Sequence, residues 1–147
     1  MFQIYTNQIE NLDWLIYSVY WRRDEIILRR NNQQEMIKDT TNSEHYHWGD
    51  ACDGWHLVQT DSLSIIQEKI PPGASENLHY HSHAQQFFYI LKGIAVFEVD
   101  DKIYEVREGQ GFHILPKKKQ RIFNRTNQAL EFIVTSEPKS RGDRIDL

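Results

Sequence analysis

Two histidines separated by a single residue are the side chains of this sequence best suited to chemistry. His79 and His81 flank Tyr80. In a β-strand, side chains two positions apart point to the same face, with their Cα atoms about 7 Å apart. Two imidazoles at this spacing can converge on one small ion or one substrate. Because the ordinary pKa of histidine is about 6.5, one ring can also accept a proton while its neighbour donates one.

The residues around this pair form a regular motif. Gly73 is followed by five residues and then His79 and His81; Gln86 comes after four more residues and Gly93 after a further six. This spacing resembles the first motif of the cupin superfamily, which usually has a glutamate where this chain has Gln86. A second cupin motif is expected downstream, and it is present in a degenerate form.

The second motif spans Gly109 to Asn124, with Gln120 at the position of the usual histidine. The resemblance implies that His79, His81, Gln86 and Gln120 face one divalent ion, namely Fe, Mn, Ni or Zn. Amide oxygens are poor replacements for a carboxylate and an imidazole on such metals. His83 and His113 are the two further histidines that could supply an extra ligand.

Three functional interpretations stay open at this point. The first is a His-lined barrel site for a small molecule that binds a divalent metal and acts as a dioxygenase or an isomerase. The second resembles the metal-free sugar-nucleotide isomerases and epimerases of the superfamily, with His79 and His81 as catalytic acid and base. The third is a cupin that binds a small ligand without catalysis, so the sequence leaves enzymatic activity undecided.

The elements that must position these residues are short strands. Alternating apolar residues between turn signals are typical of an all-β sandwich or barrel. Together with the resemblance, they predict a double-stranded β-helix, or jelly roll. In the segment after the histidines, Gln86, Phe88 and Ile90 should face the site, while Phe87 and Tyr89 face away. The predicted strands are 56–60, 64–70, 77–81, 86–91, 95–99, 103–106, 111–115, 120–124 and 130–135.

The flanks of this pattern are read separately. Residues 1–35 are predicted as an N-terminal extension with helical spacing, residues 36–138 as the cupin barrel, and residues 139–147 as a C-terminal tail. Residues 43–56 read as Gly-rich turns bracketed by Trp48 and Trp55, which we expect to plug one end of the barrel. Cys52 is expected to be a small buried hydrophobe.

Composition limits the possible partners. The chain has 147 residues and a net charge of −4, which does not favour nucleic acid or an anionic membrane. No apolar run approaches the roughly 18 residues of a membrane helix, and the N-terminus lacks the pattern of a signal peptide. With one cysteine there is no intrachain disulfide. We therefore expect a cytoplasmic protein with a small-molecule ligand, and the resemblance implies a homodimer.

Overall fold

The structure is a computed structural model that describes residues 36–49 and 51–147. The helix predicted within residues 1–35 lies outside the described residues. One compact unit covers residues 39–147. Its strands are β1 (Glu44–Trp48), β2 (Cys52–Gln59), β3 (Ser64–Ile70), β4 (His79–His81), β5 (Gln85–Lys92), β6 (Ile94–Val99), β7 (Lys102–Arg107), β8 (Gly111–Ile114), β9 (Gln120–Phe123), β10 (Leu130–Glu137) and β11 (Arg144–Asp146).

The strands form two antiparallel sheets. The larger sheet has the order β1-β2-β3-β10-β5-β8, and the smaller sheet has the order β11-β4-β9-β6-β7. The predicted all-β jelly roll is thus confirmed, and each of the nine predicted strands overlaps one of β2 to β10. The crossings between sheets matter for the site, because β4, β5 and β9 carry the motif residues.

Alternation of burial along the strands accounts for this arrangement. In β10, Leu130, Phe132 and Val134 are buried and the residues between them are only partly buried. In β5, Phe88 and Ile90 are buried whereas Phe87 and Tyr89 are exposed, as the sequence predicts. Full burial of such a side chain contributes about 1.5–3 kcal/mol to folding. The two inner faces therefore hold the sheets together as one core.

Two segments differ from expectation. Residues 43–56 contain the antiparallel hairpin of β1 and β2, in which Trp48 pairs with Cys52. Cys52 is fully buried and Trp48 packs against the core, but Trp55 lies on the other face against His45. The two tryptophans do not plug the barrel together, because they occupy opposite faces of the hairpin.

The C-terminal segment 139–147 is more than a tail. Within it, β11 pairs with β4, so that Arg144 lies beside His81 and Asp146 beside His79. The short polar stretch gives little sign of a strand, because its side chains are exposed and its pairing is with a distant segment. Among the described residues, no helix is long and apolar enough to cross a membrane.

Candidate functional site

The structure brings the four motif residues together in the interior. His79, His81, Gln86 and Gln120 are each at most 7% exposed. The rings of His79 and His81 meet edge to face with centroids 5.1 Å apart. His79 pairs across the strands with Gln120, whose Nε2 donates a hydrogen bond of 2.6 Å to Gln86 Oε1. Strands β4, β5 and β9 thereby converge on one buried polar cluster.

The two further histidines lie elsewhere. The His83 side chain is 79% exposed, and its Nδ1 contacts Asp143 Oδ1 at 2.8 Å. His113 is exposed on β8, opposite the outward-facing Phe87, and its Nε2 contacts Gln85 Oε1 at 2.9 Å. Neither ring is therefore in position to join the buried histidine pair.

The buried cluster does not offer the donors that a transition metal needs. Gln86 Nε2 donates to Ser136 Oγ at 3.2 Å, and Gln86 Oε1 accepts from Gln120. The hydrogen bonds therefore run in one direction, from Gln120 to Gln86 and from Gln86 to Ser136. Two imidazoles remain, without a carboxylate or a third nitrogen in the other two positions. This donor set does not fit the four-ligand metal of the superfamily.

Burial keeps both imidazoles neutral. Desolvation lowers the pKa of His79 to about 4. Desolvation and the adjacent His79 ring lower the pKa of His81 to about 4 as well. His79 Nδ1 lies 3.0 Å from the Asn77 carbonyl oxygen, which can only accept, so this nitrogen carries the proton. Nε2 of His79 then holds the lone pair, 3.8 Å from Glu76 Oε1.

A cavity of about 510 Å³ opens beside His81 and Gln86. Among the described residues, three buried side-chain nitrogens have no hydrogen-bond partner: Trp48 Nε1, His56 Nδ1 and His81 Nδ1. All three residues line this cavity. A buried polar atom without a partner costs about 1–3 kcal/mol, so three such atoms on residues that line one cavity make it the candidate site for a polar molecule.

A row of three paired residues brings a carboxyl group to the cavity wall. Gly54 of β2 lies between Tyr46 of β1 and Glu68 of β3. A Cβ atom on Gly54 would come within 2.3 Å of Tyr46 Cζ. Because Gly54 has no side chain, the Tyr46 ring crosses it and its hydroxyl donates to Glu68 Oε1 at 2.7 Å. Burial, with a contribution from Glu76, raises the pKa of Glu68 to about 8.

A second carboxyl group is supplied by Glu76, in the loop before β4. Its side chain is 17% exposed and forms an ion pair with Arg144 of β11. Burial raises the pKa of Glu76 to about 7, although Arg144 acts in the opposite direction. The cavity therefore combines a neutral imidazole with Glu68, which keeps its proton at neutral pH, and Glu76, which is only partly protonated there. This combination is suited to proton transfer.

Sequence reasoning missed Tyr46, Glu68, Glu76 and Arg144. Glu68 carries a readable signal, because it has the same strand parity as the buried Ile66 and Ile70. A charged residue on an otherwise inward apolar stripe indicates a site. Glu76 and Arg144 carry no such signal, since one lies in a loop and the other in a short exposed strand.

Comparison with known proteins agrees with the fold. The family model "Cupin domain" matches residues 66–136. Residues 66–136 are therefore a cupin domain, and the resemblance drawn from the two motifs is confirmed. The match takes in β5 to β9, β4 and nearly all of β3 and β10, and hence all four motif residues.

Individual relatives are more distant. An uncharacterised protein of Methanocaldococcus jannaschii is 31% identical over 75 residues, which are 51% of this chain and 60% of that protein. An oxalate-binding protein of Thermotoga maritima is 29% identical over 83 residues, which are 53% of this chain and 69% of that protein.

Among solved structures, a nucleoside dehydratase superimposes with a TM-score of 0.64 at 14% identity, over 76% of this chain and 89% of that one. A variant of this Streptomyces enzyme has been solved with uridine. At this identity the likeness shows the fold alone.

Proposed function

We propose that this protein is an enzyme that moves protons on a small polar molecule held in the barrel cavity. His81 acts as the base, and Glu68 or Glu76 acts as the acid. In this proposal the reaction needs no metal at the motif residues, because Gln86 and Gln120 occupy two of the four ligand positions. His79 supports His81 by packing against its ring and by lowering the pKa of His81, which favours the neutral imidazole.

The observation that carries the proposal is His81, which lines the cavity and whose buried Nδ1 has no hydrogen-bond partner, with Asp143 Oδ2 4.0 Å away. A neutral imidazole can accept a proton, and burial favours the neutral form of His81. Glu68, with its pKa raised to about 8, keeps its proton at neutral pH and can give it away. The acid is then protonated and the base is neutral at the same pH, which are the starting forms that general acid–base catalysis needs.

The simplest reaction for this pair is loss of water or migration of a double bond. A proton leaves a carbon next to an electron-withdrawing group and goes to His81. The C–O bond of the departing hydroxyl breaks as the Glu68 proton joins it, which releases water. The elimination is redox-neutral, so it needs no oxidant or reductant.

Side chains of both charge signs line the cavity, with Lys139, Arg141 and Arg144 beside Glu68 and Glu76. In this proposal the ligand is hydroxylated and weakly charged, and the oxalate named for the Thermotoga relative is the competing anionic ligand. A nucleoside or a sugar derivative carries hydroxyl and amide groups that can pair with Trp48 Nε1, His56 Nδ1 and His81 Nδ1. The cavity volume falls in the range of about 300–1,000 Å³ that is usual for small-molecule sites.

The test combines binding with proton exchange. Melting temperature is measured with nucleosides, sugar acids and oxalate, and each ligand that raises it is incubated in D2O and followed by NMR. We expect a hydroxylated ligand to bind and to exchange a carbon-bound proton or to lose water. His81→Asn and Glu68→Gln should lower that rate at least about 100-fold, the usual lower contribution of a catalytic acid or base.

His113→Asn and Glu108→Gln are the matched controls, because both residues are exposed and lie outside the cavity wall. Ligands that raise the melting temperature in the wild type but undergo no exchange would contradict catalysis and favour the binding-only alternative. Full activity in His81→Asn would contradict the assignment of the base.

The predicted homodimer and cytoplasmic location stay predictions. The outward-facing Phe87 and Tyr89 of β5 are the apolar surface that a second subunit would cover in this proposal. Light scattering of wild type and a Phe87→Asp variant tests the dimer, since a charge in the interface should shift the mass to that of a monomer.

A further inference from the structure

The outer face of the β1–β2 hairpin carries a cluster of metal-binding side chains. His45 and His47 are two positions apart on β1, so both rings stand on the same face. Asp53 of β2 pairs directly with His47. One nitrogen of each ring and one oxygen of the carboxylate all lie within 4.8 Å of one another. We propose that His45, His47 and Asp53 bind a divalent transition-metal ion, on the face opposite to the cavity.

The distances fit one shared ion. His45 Nε2 lies 2.9 Å from Asp53 Oδ1, and His47 Nδ1 lies 3.1 Å from the same oxygen. Two ligands that lie about 2.1 Å from one ion are about 3.4 Å apart in a tetrahedral site and about 3.0 Å apart at right angles. Both nitrogens are therefore close to ligand spacing from Asp53 Oδ1. In this proposal the ion takes the place of the ring protons that now face the carboxylate.

The ligand types select the class of ion. Two imidazoles and one carboxylate suit Zn²⁺, Ni²⁺ or Cu²⁺, whereas Mg²⁺ and Ca²⁺ prefer oxygen ligands throughout. The rings are exposed enough to admit an ion from solvent, since the side chains of His45 and His47 are 39% and 75% exposed. Water would complete the coordination.

The scaffold holds the ligands in place. His45 and His47 lie on the edge strand of the larger sheet, paired over its whole length with β2. The His45 ring also packs on Trp55, with centroids 5.0 Å apart. An ion bound here joins β1 to β2, and β1 is the strand that delivers Tyr46 to Glu68. The site is separate from the buried histidines and does not depend on the function proposed for the cavity.

The experiment is a titration of the full chain with ZnCl₂ and NiCl₂ by calorimetry, beside CuCl₂ quenching of tryptophan fluorescence. We expect one ion per chain, and quenching that decreases in Trp55→Phe. His47→Asn and Asp53→Asn should each weaken binding more than about 10-fold, since even outer partners of metal ligands contribute roughly 10- to 100-fold. Circular dichroism confirms that each variant is folded.

His113→Asn is the matched control, as an exposed histidine on the same sheet and away from the hairpin. It should bind as the wild type does. The proposal is overturned if the wild type binds no better than His47→Asn, or if binding is lost in His81→Asn and kept in His47→Asn. Loss of binding in the His113→Asn control would equally overturn it.

Discussion

At the scale of single residues, the site is defined by the pKa values of His81 and Glu68. In the free side chains histidine has the higher pKa, and in the site the carboxyl group has it. His81 loses its affinity for a proton because burial penalises the imidazolium, and Glu68 gains affinity because burial penalises the carboxylate. The same desolvation thus yields a base and an acid that coexist at neutral pH. His81 Nδ1 has no hydrogen-bond partner, and in the proposed reaction it is the nitrogen that accepts the proton.

Removing the Tyr46 hydroxyl should raise the pKa of Glu68 further. The hydroxyl donates to Glu68 Oε1 and so favours the ionised form, which lowers the pKa against the larger effect of burial. We expect Tyr46→Phe to shift the titration of the Glu68 carboxyl carbon, followed by ¹³C NMR, to higher pH. Tyr104→Phe, on an exposed ring of β7, is the control. A pKa that stays the same or falls would contradict this reading of the contact.

Restoring the usual motif residues should create a metal site in the barrel. Gln86→Glu with Gln120→His adds a carboxylate and an imidazole to His79 and His81, and removes the hydrogen bond between the two amides. In a His47→Asn background, which removes the outer cluster, elemental analysis should find about one Fe, Ni or Zn per chain in this variant and much less without the two changes. If the His47→Asn protein alone retained metal that His81→Asn removed, the native glutamines would be adequate ligands.

At the scale of elements, the sequence predicted the strands that contain at least one buried residue and missed β1 and β11, which contain none. Strand β5 alternates between core and solvent, and its parity was read correctly for Gln86, Phe88 and Ile90. Strand β11 has three exposed residues, and its place depends on pairing with β4. Strand β1 and the first half of β2 were read as turns, because Gly49 and Gly54 are typical of loops. In the structure Gly54 instead leaves room for the ring of Tyr46.

The candidate site was predicted in the same uneven way. Strand periodicity predicts that His79 and His81 share a face, whereas the inclusion of Gln86 and Gln120 follows from the resemblance to the two cupin motifs. Arg144 reaches Glu76 across 68 positions of sequence, and no local pattern encodes such a contact. Contacts between residues far apart in the sequence, such as Arg144 and Glu76, could therefore be identified only from the structure.

Filling the gap at Gly54 should disrupt the row of Tyr46 and Glu68. The Cβ of Gly54→Ala would overlap the Tyr46 ring, with contacts of 2.3 to 2.6 Å to three of its atoms, so the ring must move off β2. We expect a loss of about 1–3 kcal/mol in the free energy of unfolding, measured by urea denaturation. Tyr46→Phe keeps the ring and removes only the hydroxyl, so it should cost less. Equal losses in both variants would assign the effect to the hydrogen bond instead.

At the scale of the molecule, the C-terminal segment forms part of the cavity wall. Its residues Lys139, Arg141 and Arg144 line the cavity. Asp143 accepts hydrogen bonds from the backbone N–H groups of His83 and Ala84, which lower its pKa to about 2 against the effect of burial. One carboxylate thus fastens the segment to the turn after β4, next to His81.

Replacing that carboxylate should release the segment. Asp143→Asn keeps the shape but loses charge-assisted hydrogen bonds, which contribute about 1.5–3 kcal/mol each. We expect faster amide hydrogen exchange at His83, Ala84 and residues 139–147, with the core strands unchanged. Asp61→Asn is the control, because Asp61 is almost fully exposed and contacts the segment only through Lys139. Unchanged exchange in Asp143→Asn would mean that β11 pairing alone holds the segment.

The buried titratable groups should also shape the stability of the whole molecule with pH. Glu68 and Glu76 have their pKa values raised from 4.5 to about 8 and about 7, so the folded state binds more protons than the unfolded state between these limits. Stability must then fall as pH rises from 6.5 to 8, on the order of 2 kcal/mol. His79 and His81, lowered from 6.5 to about 4, act in the opposite sense and destabilise the fold as pH drops below 6.5.

Between pH 4.5 and 6.5 the two effects oppose each other, so urea denaturation should show a plateau with a decline on either side. The double variant Glu68→Gln/Glu76→Gln should flatten the alkaline decline and leave the acid decline in place. Glu108→Gln, an exposed carboxyl in a turn, should change neither. If the wild type were as stable at pH 8 as at pH 6.5, the carboxyl groups would be ionised in the folded state, and neither could serve as the acid of the proposed reaction.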